Sequence, residues 1–222
     1  MTWAAAVATA ASVTVMGVSP SSAATGTGAT VVHLHASALN AVSGQHITFY
    51  TTVSPKVAGG AAPSGTVTFG GAVTPAVTAV LAKNATTGQQ EAKTIAGFAP
   101  GSYTVSATYS GDATYVSYGP VNVTVTVSKA NTTMTVTVTQ SATRPGYWTI
   151  AAKVRAALPG RGLATGSVVF TVDTVAGAPT PLNPSANAYL RQVFAKGTHT
   201  ITVGYPGDGS FNLSQGTVTF TA

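Results

Sequence analysis

The chain has 222 residues and a net charge of +6, and only 6% of its residues are charged whereas 45% are hydrophobic. This composition excludes the charge-rich class of disordered proteins, and the lack of Cys excludes disulfides, Cys-ligated zinc, iron–sulfur clusters and thiol nucleophiles. Surface polarity must come largely from Thr, which occurs 38 times. Together with abundant Val, Gly and Pro, this composition predicts an all-β chain.

Residues 1–24 predict a signal peptide. An apolar, Ala-rich stretch from Trp3 to Val18 is shorter than the ~20 residues of a membrane span and stops before Pro20. Small residues at Ser21–Ala24 suit cleavage by a signal peptidase. No Lys or Arg precedes the apolar stretch, so either the true start lies upstream or the signal is weak. We expect a secreted chain whose mature part begins near Thr25.

The rest of the chain contains two copies of one unit. The segment Gly65–Phe69 returns as Gly166–Phe170 at an offset of 101 residues, and Gly101–Tyr115 returns as Gly197–Phe211 at an offset of 96. The smaller second offset indicates a five-residue deletion in the middle loops of the second copy. Each copy therefore has about a hundred residues, made of short alternating segments between turn signals.

Seven strands are predicted in each copy from this alternation. Those of the first copy are Thr30–Ala36, Gln45–Val53, Gly65–Phe69, Ala76–Leu81, Ala92–Ile95, Tyr103–Tyr109 and Val121–Val127. Those of the second are Thr132–Val138, Tyr147–Val154, Gly166–Val172, Pro179–Leu182, Ala188–Val193, His199–Tyr205 and Gly216–Thr221. Seven strands fit an immunoglobulin-like sandwich. We therefore predict two tandem immunoglobulin-like (Ig-like) β-sandwich domains, at residues 25–128 and 129–222.

The sequence resembles the bacterial Ig-like repeat domains that occur in tandem in secreted and cell-surface proteins. The resemblance is carried by the Gly-x-Val-x-Phe segment at Gly65, by PGSYTVSATYSGDATY at Pro100–Tyr115 and by VNVTVTVSKA at Val121–Ala130. It covers nearly all of residues 29–222. It implies a non-catalytic module that serves as a spacer, a stalk, part of an adhesin or an accessory to a secreted enzyme.

One further motif points to the same fold. Immunoglobulin domains carry a Tyr two residues before the second bridging Cys, and its hydroxyl bonds to the backbone at a sheet corner. Tyr103 has this spacing, with Val105 in place of the Cys. The second copy has His199 and Ile201 instead, so its corner must be held differently.

The titratable residues do not form a catalytic pattern. Asp112 and Asp208 each follow Gly in equivalent tight turns, where an Asp side chain forms hydrogen bonds with its own backbone. Neither has a second acid nearby, as a calcium site often requires. Asp173 and His199 could be two members of a triad, but no nucleophile motif accompanies them. We expect no enzymatic activity and no cofactor.

A metal site is not expected either. His33 and His35 share one face of a predicted strand, a workable spacing for two ligands, and a third would have to come from His46 on a neighbouring strand. Exposed His on an edge strand is the simpler interpretation, since the second copy has Met134 and Val136 in that region.

The basic residues are concentrated in the second copy. Residues 26–128 have three Lys against two acids, whereas residues 129–222 have seven Lys and Arg against two acids. Lys153 and Arg155 should face outward together, with Arg161 in the following loop, and could contact an anionic wall polymer. Solubility of a weakly charged surface is the alternative. Nucleic acid is not expected, because the cations are not interleaved with aromatic residues and the chain is predicted to be secreted.

Aromatic side chains offer a second candidate surface. Tyr50 should point away from the core, and Tyr115 and Tyr118 lie in a loop, so these three could stack on a glycan. The alternative is core packing, because Tyr115 aligns with Phe211.

The sequence thus predicts a non-catalytic adhesion or spacer module, secreted or held noncovalently at the cell surface. The alternatives are a carbohydrate- or wall-polymer-binding protein and a fragment or accessory region of a larger secreted enzyme. The expected partner is a cell-surface protein or polysaccharide, with no transmembrane span. Edge strands rich in Val and Thr also allow weak self-association.

Overall fold

The computed structural model describes residues 26–222, and every regular element in this range is a β-strand. The predicted signal peptide lies outside the described residues. The chain forms two compact units: the first comprises residues 26–41 and His46–Val127, and the second comprises Val42–Gln45 and Ser128–Ala222. Within residues 26–222, no helix is long and apolar enough to cross a membrane.

The first unit is a sandwich of two sheets. Its strands are β1 (Thr30–Ala36), β2 (Asn40–Val42), β3 (Ile47–Pro55), β4 (Thr66–Gly71), β5 (Val77–Val80), β6 (Ala82–Lys83), β7 (Gln90–Ala96), β8 (Gly101–Tyr109) and β9 (Tyr118–Ser128). One sheet has the strand order β1-β3-β7-β6 and the other has the order β2-β9-β8-β4-β5. The β1–β3, β3–β7 and β8–β9 ladders are antiparallel. Alternate residues point into the space between the sheets. The core they form includes Ile47, Phe49, Val67, Phe69 and Val105, all fully buried.

The second unit repeats this plan with fewer strands. They are β10 (Thr132–Gln140), β11 (Tyr147–Ala156), β12 (Ser167–Val172), β13 (Val175–Pro181), β14 (Asn187–Val193), β15 (Thr198–Tyr205) and β16 (Ser214–Thr221). The sheets have the orders β10-β11-β14 and β13-β12-β15-β16. Ile150, Val168 and Ile201 are fully buried between them. The common strand order of the two units is that of an immunoglobulin-like sandwich, so the predicted fold is confirmed.

The predicted strands agree with the structure at most positions. β1 has the predicted bounds, but the short strands β2 and β6 were not predicted. The strand expected at Pro179–Leu182 in fact begins at Val175, because Asp173 and Thr174 make a tight turn directly after β12. The alternation is too weak to reveal that start, since nearly all of β13 is exposed.

Rows of Thr supply the polar surface that the composition required. Hydroxyl groups pair across neighbouring strands at Thr68–Thr78, Thr104–Thr124, Thr200–Thr219 and Thr202–Thr217, with oxygen–oxygen distances of 3.0–3.2 Å. Such cross-strand pairs stabilise a sheet modestly while keeping its outer face polar. Uncharged hydroxyls therefore take the place of ion pairs on these faces.

Asp112 connects two loops of the first unit through hydrogen bonds. Its Oδ1 accepts hydrogen bonds from the backbone N–H groups of Thr114 (2.7 Å) and Tyr115 (2.8 Å), which closes the tight turn. Its Oδ2 accepts from the Ser64 N–H (2.7 Å) and the Tyr109 hydroxyl (3.0 Å). Burial alone would raise the pKa of Asp112, but these donors outweigh burial and lower it to about 2.

Asp208 repeats this arrangement in the second unit. It accepts from the N–H groups of Ser210 (2.7 Å) and Phe211 (2.8 Å) through one oxygen, and from the N–H (2.9 Å) and hydroxyl (2.7 Å) of Thr165 through the other. Burial opposes ionisation of Asp208, yet the donors, led by Thr165, hold its pKa below the ordinary value. The structural role predicted for both turns is confirmed.

The sheet corner of the first unit differs from the expectation. Val105 is buried as predicted, but among the described residues the Tyr103 hydroxyl has no hydrogen-bond partner. The Tyr103 ring instead stacks on Phe98, with ring centroids 4.4 Å apart. Aromatic packing therefore replaces the expected hydroxyl–backbone bond.

Candidate functional site

The outer faces of two equivalent sheets carry the polar residues that could bind a partner. These faces belong to β1-β3-β7-β6 in the first unit and to β10-β11-β14 in the second. Thr52 of β3 and Lys153 of β11 occupy equivalent places, 101 residues apart. The two faces have different chemistry, and each is described separately.

The face of the second unit carries aligned cations. Ala152 and Val154 are buried, so Lys153 and Arg155 point outward, as the alternation predicts. In the ladder between β11 and β14, Arg191 lies opposite Thr149 and shares this outer face.

Two aromatic residues lie beside cations on this face. The guanidinium of Arg191 lies 5.4 Å from the ring centroid of Tyr189, and that of Arg144 lies 5.8 Å from the ring centroid of Tyr147. Both distances are in the range of cation–π interactions. We call Arg144, Lys153, Arg155 and Arg191 with the two tyrosines the cationic stripe. It follows β11 from Tyr147 to Arg155, a length of roughly 26 Å at about 3.3 Å per residue.

No acid of the second unit neutralises the stripe. Its two acids are Asp173, which pairs with His199, and Asp208, which is held in its turn by Thr165. Arg161 is exposed in the loop after β11, as expected, but it does not belong to a strand of this face. Sequence reasoning missed Arg191, because only the pairing of β11 with β14 brings it to the stripe.

The stripe also corrects one argument made from the sequence. The cations were expected to lack interleaved aromatic residues, whereas Arg191 lies over Tyr189 and Arg144 over Tyr147. The expectation that nucleic acid is not a partner therefore rests only on the predicted secretion of the chain.

The face of the first unit contains an open polar groove with a volume of about 620 Å³. We call it the polar groove. Strands β1, β3 and β7 provide its floor, and the loop before β7 forms one wall. Its lining side chains are almost all polar: His33, His35, Tyr50, Thr52, Asn84, Thr87, Gln89, Glu91 and Lys93.

A buried carboxylate lines the groove beside the loop that forms its wall. Glu91 is only 8% exposed, and its Oε2 accepts from Asn84 Nδ2 (2.8 Å) and lies 2.9 Å from Lys93 Nζ. The Asn84 hydrogen bond and the Lys93 ammonium lower the pKa of Glu91 and keep it ionised. Asn84 Oδ1 in turn accepts from the N–H groups of Thr86 and Thr87, which fixes the loop.

An aromatic pair lies on the groove floor. The rings of His35 and Tyr50 stack with centroids 4.8 Å apart and an interplanar angle of 16°. Tyr50 therefore points outward as predicted, but His35 covers one of its faces. The sequence could not indicate this, because the pairing of β1 with β3 brings the two rings together.

The other two predicted tyrosines lie elsewhere. Tyr115 is only 5% exposed, and its hydroxyl donates to the Ala61 carbonyl at 2.6 Å, so the expectation that it stacks on a glycan is wrong. It anchors a loop, which was the alternative interpretation. Tyr118 is 48% exposed at the start of β9, in the sheet opposite to that of Tyr50. The structure therefore does not bring Tyr50, Tyr115 and Tyr118 together.

The His residues do not assemble a metal site. His33 and His35 are exposed on β1, with ring centroids 6.2 Å apart. His46 precedes β3 and is four residues from Tyr50, which pairs with His35, so it lies roughly 13 Å further along the strand. Among residues 26–222, no three His, Cys, Asp or Glu side chains are placed to hold a metal ion. The equivalents of His33 and His35 are Thr135 and Thr137, not Met134 and Val136, because Thr135 lies opposite Lys153.

Asp173 and His199 form an ion pair that holds the corner of the second unit. His199 Nδ1 lies 2.7 Å from Asp173 Oδ2, and His199 Nε2 lies 3.0 Å from the Ala195 carbonyl oxygen. Both ring nitrogens therefore face acceptors, which leaves neither to take a proton from a nucleophile. The Asp173 carboxylate, with help from the Ala195 carbonyl, raises the pKa of His199.

This pair predicts a measurable pH dependence. The ring protons of His199 should titrate in NMR with a midpoint above the ordinary value of 6.5. Because the pKa is raised in the folded state, the pair stabilises the second unit fully below pH 6.5 and loses this effect as pH rises through the folded pKa. Asp173→Asn should move the midpoint down, with the signals of the other His residues as the internal reference. A midpoint of 6.5 or lower in the unmodified chain would contradict this assignment.

Comparison with known proteins assigns no family to this chain. No protein-family model and no curated protein matches the sequence. Solved structures that match include fibronectin(III)-like modules of Clostridium thermocellum CbhA, with 18% identity over 86% of this chain and 94% of theirs and a TM-score of 0.30. The Yersinia pseudotuberculosis adhesin InvE has 13% identity over 86% of this chain and 59% of its own, with a TM-score of 0.38. Red sea bream transglutaminase has 13% identity over 86% of this chain and 31% of its own, with a TM-score of 0.33.

This chain thus spans less than two thirds of the length of both the adhesin and the transglutaminase. All three TM-scores lie below 0.5. The fold assignment therefore rests on the strand order described above, and function has to be argued from the surface.

Proposed function

We propose that this chain is a secreted, non-catalytic adhesion or spacer module that acts at the cell surface. In this proposal residues 1–24 are a signal peptide, and residues 25–128 and 129–222 are two Ig-like domains. The observation that carries the proposal is that the acidic side chains have structural roles. Each of the four acids, Glu91, Asp112, Asp173 and Asp208, is held by partners that stabilise a loop or turn. Within residues 26–222, the carboxylates therefore stabilise loops and turns, and their lowered pKa values do not suit proton transfer near neutral pH.

Cell fractionation with N-terminal sequencing tests the location. The protein should be recovered from the medium or the cell surface, with its N-terminus near Thr25. Recovery from the cytoplasm with the first 24 residues intact would contradict the proposal.

Wall binding then separates adhesion from a spacer role. The chain from Thr25 onward is mixed with purified cell walls and with a glycan panel at low and physiological salt. Saturable retention supports adhesion to a surface protein or polysaccharide, whereas no retention on any surface supports a spacer.

Binding of an anionic wall polymer is the second candidate function, and the cationic stripe favours it. Four cations lie along one strand direction without an acid between them, so a linear polyanion could contact several of them at once. Such binding is expected to weaken with salt, because exposed charges are screened.

Two further roles follow from the sequence and are proposals of the same kind. The chain could be an accessory region of a larger secreted enzyme, which in-frame sequence on either side of the gene would reveal. Weak self-association could use β1, which lies at the margin of its sheet and contains no Pro.

A further inference from the structure

We propose that the polar groove of the first unit binds a neutral saccharide. The proposal deepens the adhesion function and rests on it, since it names the class of ligand that one face would hold. It depends on three features of the groove: its unpartnered polar groups, its balanced charge and its buried, fixed carboxylate.

Several polar groups in the groove have no hydrogen-bond partner within the described part of the chain. They are the side chains of His33, Thr52 and Gln89 and the Tyr50 hydroxyl. Together they offer both donors and acceptors on one concave surface. A ligand dense in hydroxyl groups satisfies such a mixture, because each hydroxyl can donate and accept.

The charges of the groove balance. The Glu91 carboxylate and the Lys93 ammonium are 2.9 Å apart and cancel each other locally. A phosphate or carboxylate ligand would meet the Glu91 charge, whereas a polyanion has the cationic stripe of the second unit available. An uncharged ligand is therefore favoured here.

Glu91 is also positioned to bind. Its side chain is 7% exposed, and Asn84 and Lys93 hold Oε2, whereas Oε1 has only the Thr87 hydroxyl at 3.4 Å. Oε1 thus keeps capacity to accept a hydrogen bond from a sugar hydroxyl. An acceptor that is already ordered loses little conformational entropy on binding.

The shape and the second copy agree with this interpretation. A volume of about 620 Å³ lies within the range of small-molecule sites, and the stacked His35–Tyr50 pair supplies an aromatic surface beside the polar groups. In the second unit, Ala151 takes the place of Tyr50 and Asn187 that of Glu91, so the groove chemistry is particular to the first unit.

The experiment titrates cellotetraose and N-acetylchitotetraose into the chain from Thr25 onward, with calorimetry and with NMR of the His ring protons. The signals of His33 and His35 should shift on saturation by at least one of the two sugars. Tyr50→Ala and Gln89→Ala should each weaken binding about fivefold, the loss expected for one hydrogen bond. Gln89 is an exposed loop residue, so its variant should fold normally.

Tyr189→Ala in the second unit is the matched control and should leave the affinity within about twofold. Absence of shifts at both His residues with both sugars would overturn the proposal, as would binding that neither Tyr50→Ala nor Gln89→Ala weakens. Because the assay uses purified protein and soluble sugars, its outcome is independent of the cell location tested above.

Discussion

Replacement of Asp112 by Ala should lower the free energy of unfolding of the first unit by about 2–4 kcal/mol. The carboxylate accepts hydrogen bonds from the N–H groups of Ser64, Thr114 and Tyr115 and from the Tyr109 hydroxyl. The variant leaves these donors without their charged acceptor. Tyr109 and Tyr115 are buried, so water can replace the lost bonds only in part.

Urea denaturation with two probes can locate this effect. In the chain from Thr25 onward, Trp148 is the one Trp, so its fluorescence reports on the second unit, whereas circular dichroism reports on both. Asp112→Ala should shift the circular dichroism transition and leave the fluorescence transition in place. Asp208→Ala is the matched variant and should shift the fluorescence. Equal shifts of both probes in Asp112→Ala would show that the effect is not confined to the first unit.

The same residue predicts loss of stability in acid. Its pKa is about 2 in the folded chain against 3.8 ordinarily, so the folded state favours the carboxylate. Its contribution is full above pH 3.8 and is lost as pH falls through about 2. Discounted for partial exposure, the loss is roughly 1–2 kcal/mol. Asp112→Asn should flatten this part of the stability profile, and an unchanged profile would contradict the assigned role.

Removal of two charges from the cationic stripe should weaken binding to an anionic polymer about 30-fold at low salt. Each exposed cation near an anionic surface contributes about 1 kcal/mol, so Lys153→Ala/Arg155→Ala should lose about 2 kcal/mol. The probe is a linear inorganic polyphosphate, followed by purified walls. Binding is measured by calorimetry at low and physiological salt, and the difference between the variant and the unmodified chain should shrink as salt rises.

Two controls make the test specific to the stripe. Lys56→Ala/Lys83→Ala removes the same charge from exposed positions of the first unit and should change the affinity only slightly. Arg191→Ala should cost about fivefold, whereas Arg161→Ala, outside the strands of this face, should cost less than about twofold. Equal losses in all of these variants would indicate a response to net charge alone and would contradict a defined site.

The sequence predicted what depends on neighbouring residues along the chain. The alternation of β1 and β11 gave strand positions and the outward direction of Lys153 and Arg155, and the Gly-Asp spacing gave both Asp turns. These features are local, so periodicity and turn chemistry are sufficient to find them.

The missed features depend on pairing between distant segments. Arg191 joins the stripe through the register of β14 on β11, and His35 covers Tyr50 through the register of β1 on β3. The groove wall depends on a loop whose shape Asn84 fixes with its side chain, and alternation does not encode such a loop. Tyr115 was ambiguous from the sequence, because an aromatic residue in a loop can face either solvent or core.

The paired Thr hydroxyls of the sheet faces have a consequence for how the protein behaves as its surroundings change. Hydroxyl groups neither gain nor lose a proton under the conditions that organisms tolerate, so these faces stay polar and uncharged in both acid and alkali. Charge is confined to a few places, of which the stripe is one. Rising salt would therefore screen the charges of the stripe, whereas the hydroxyl faces have no charge to be screened.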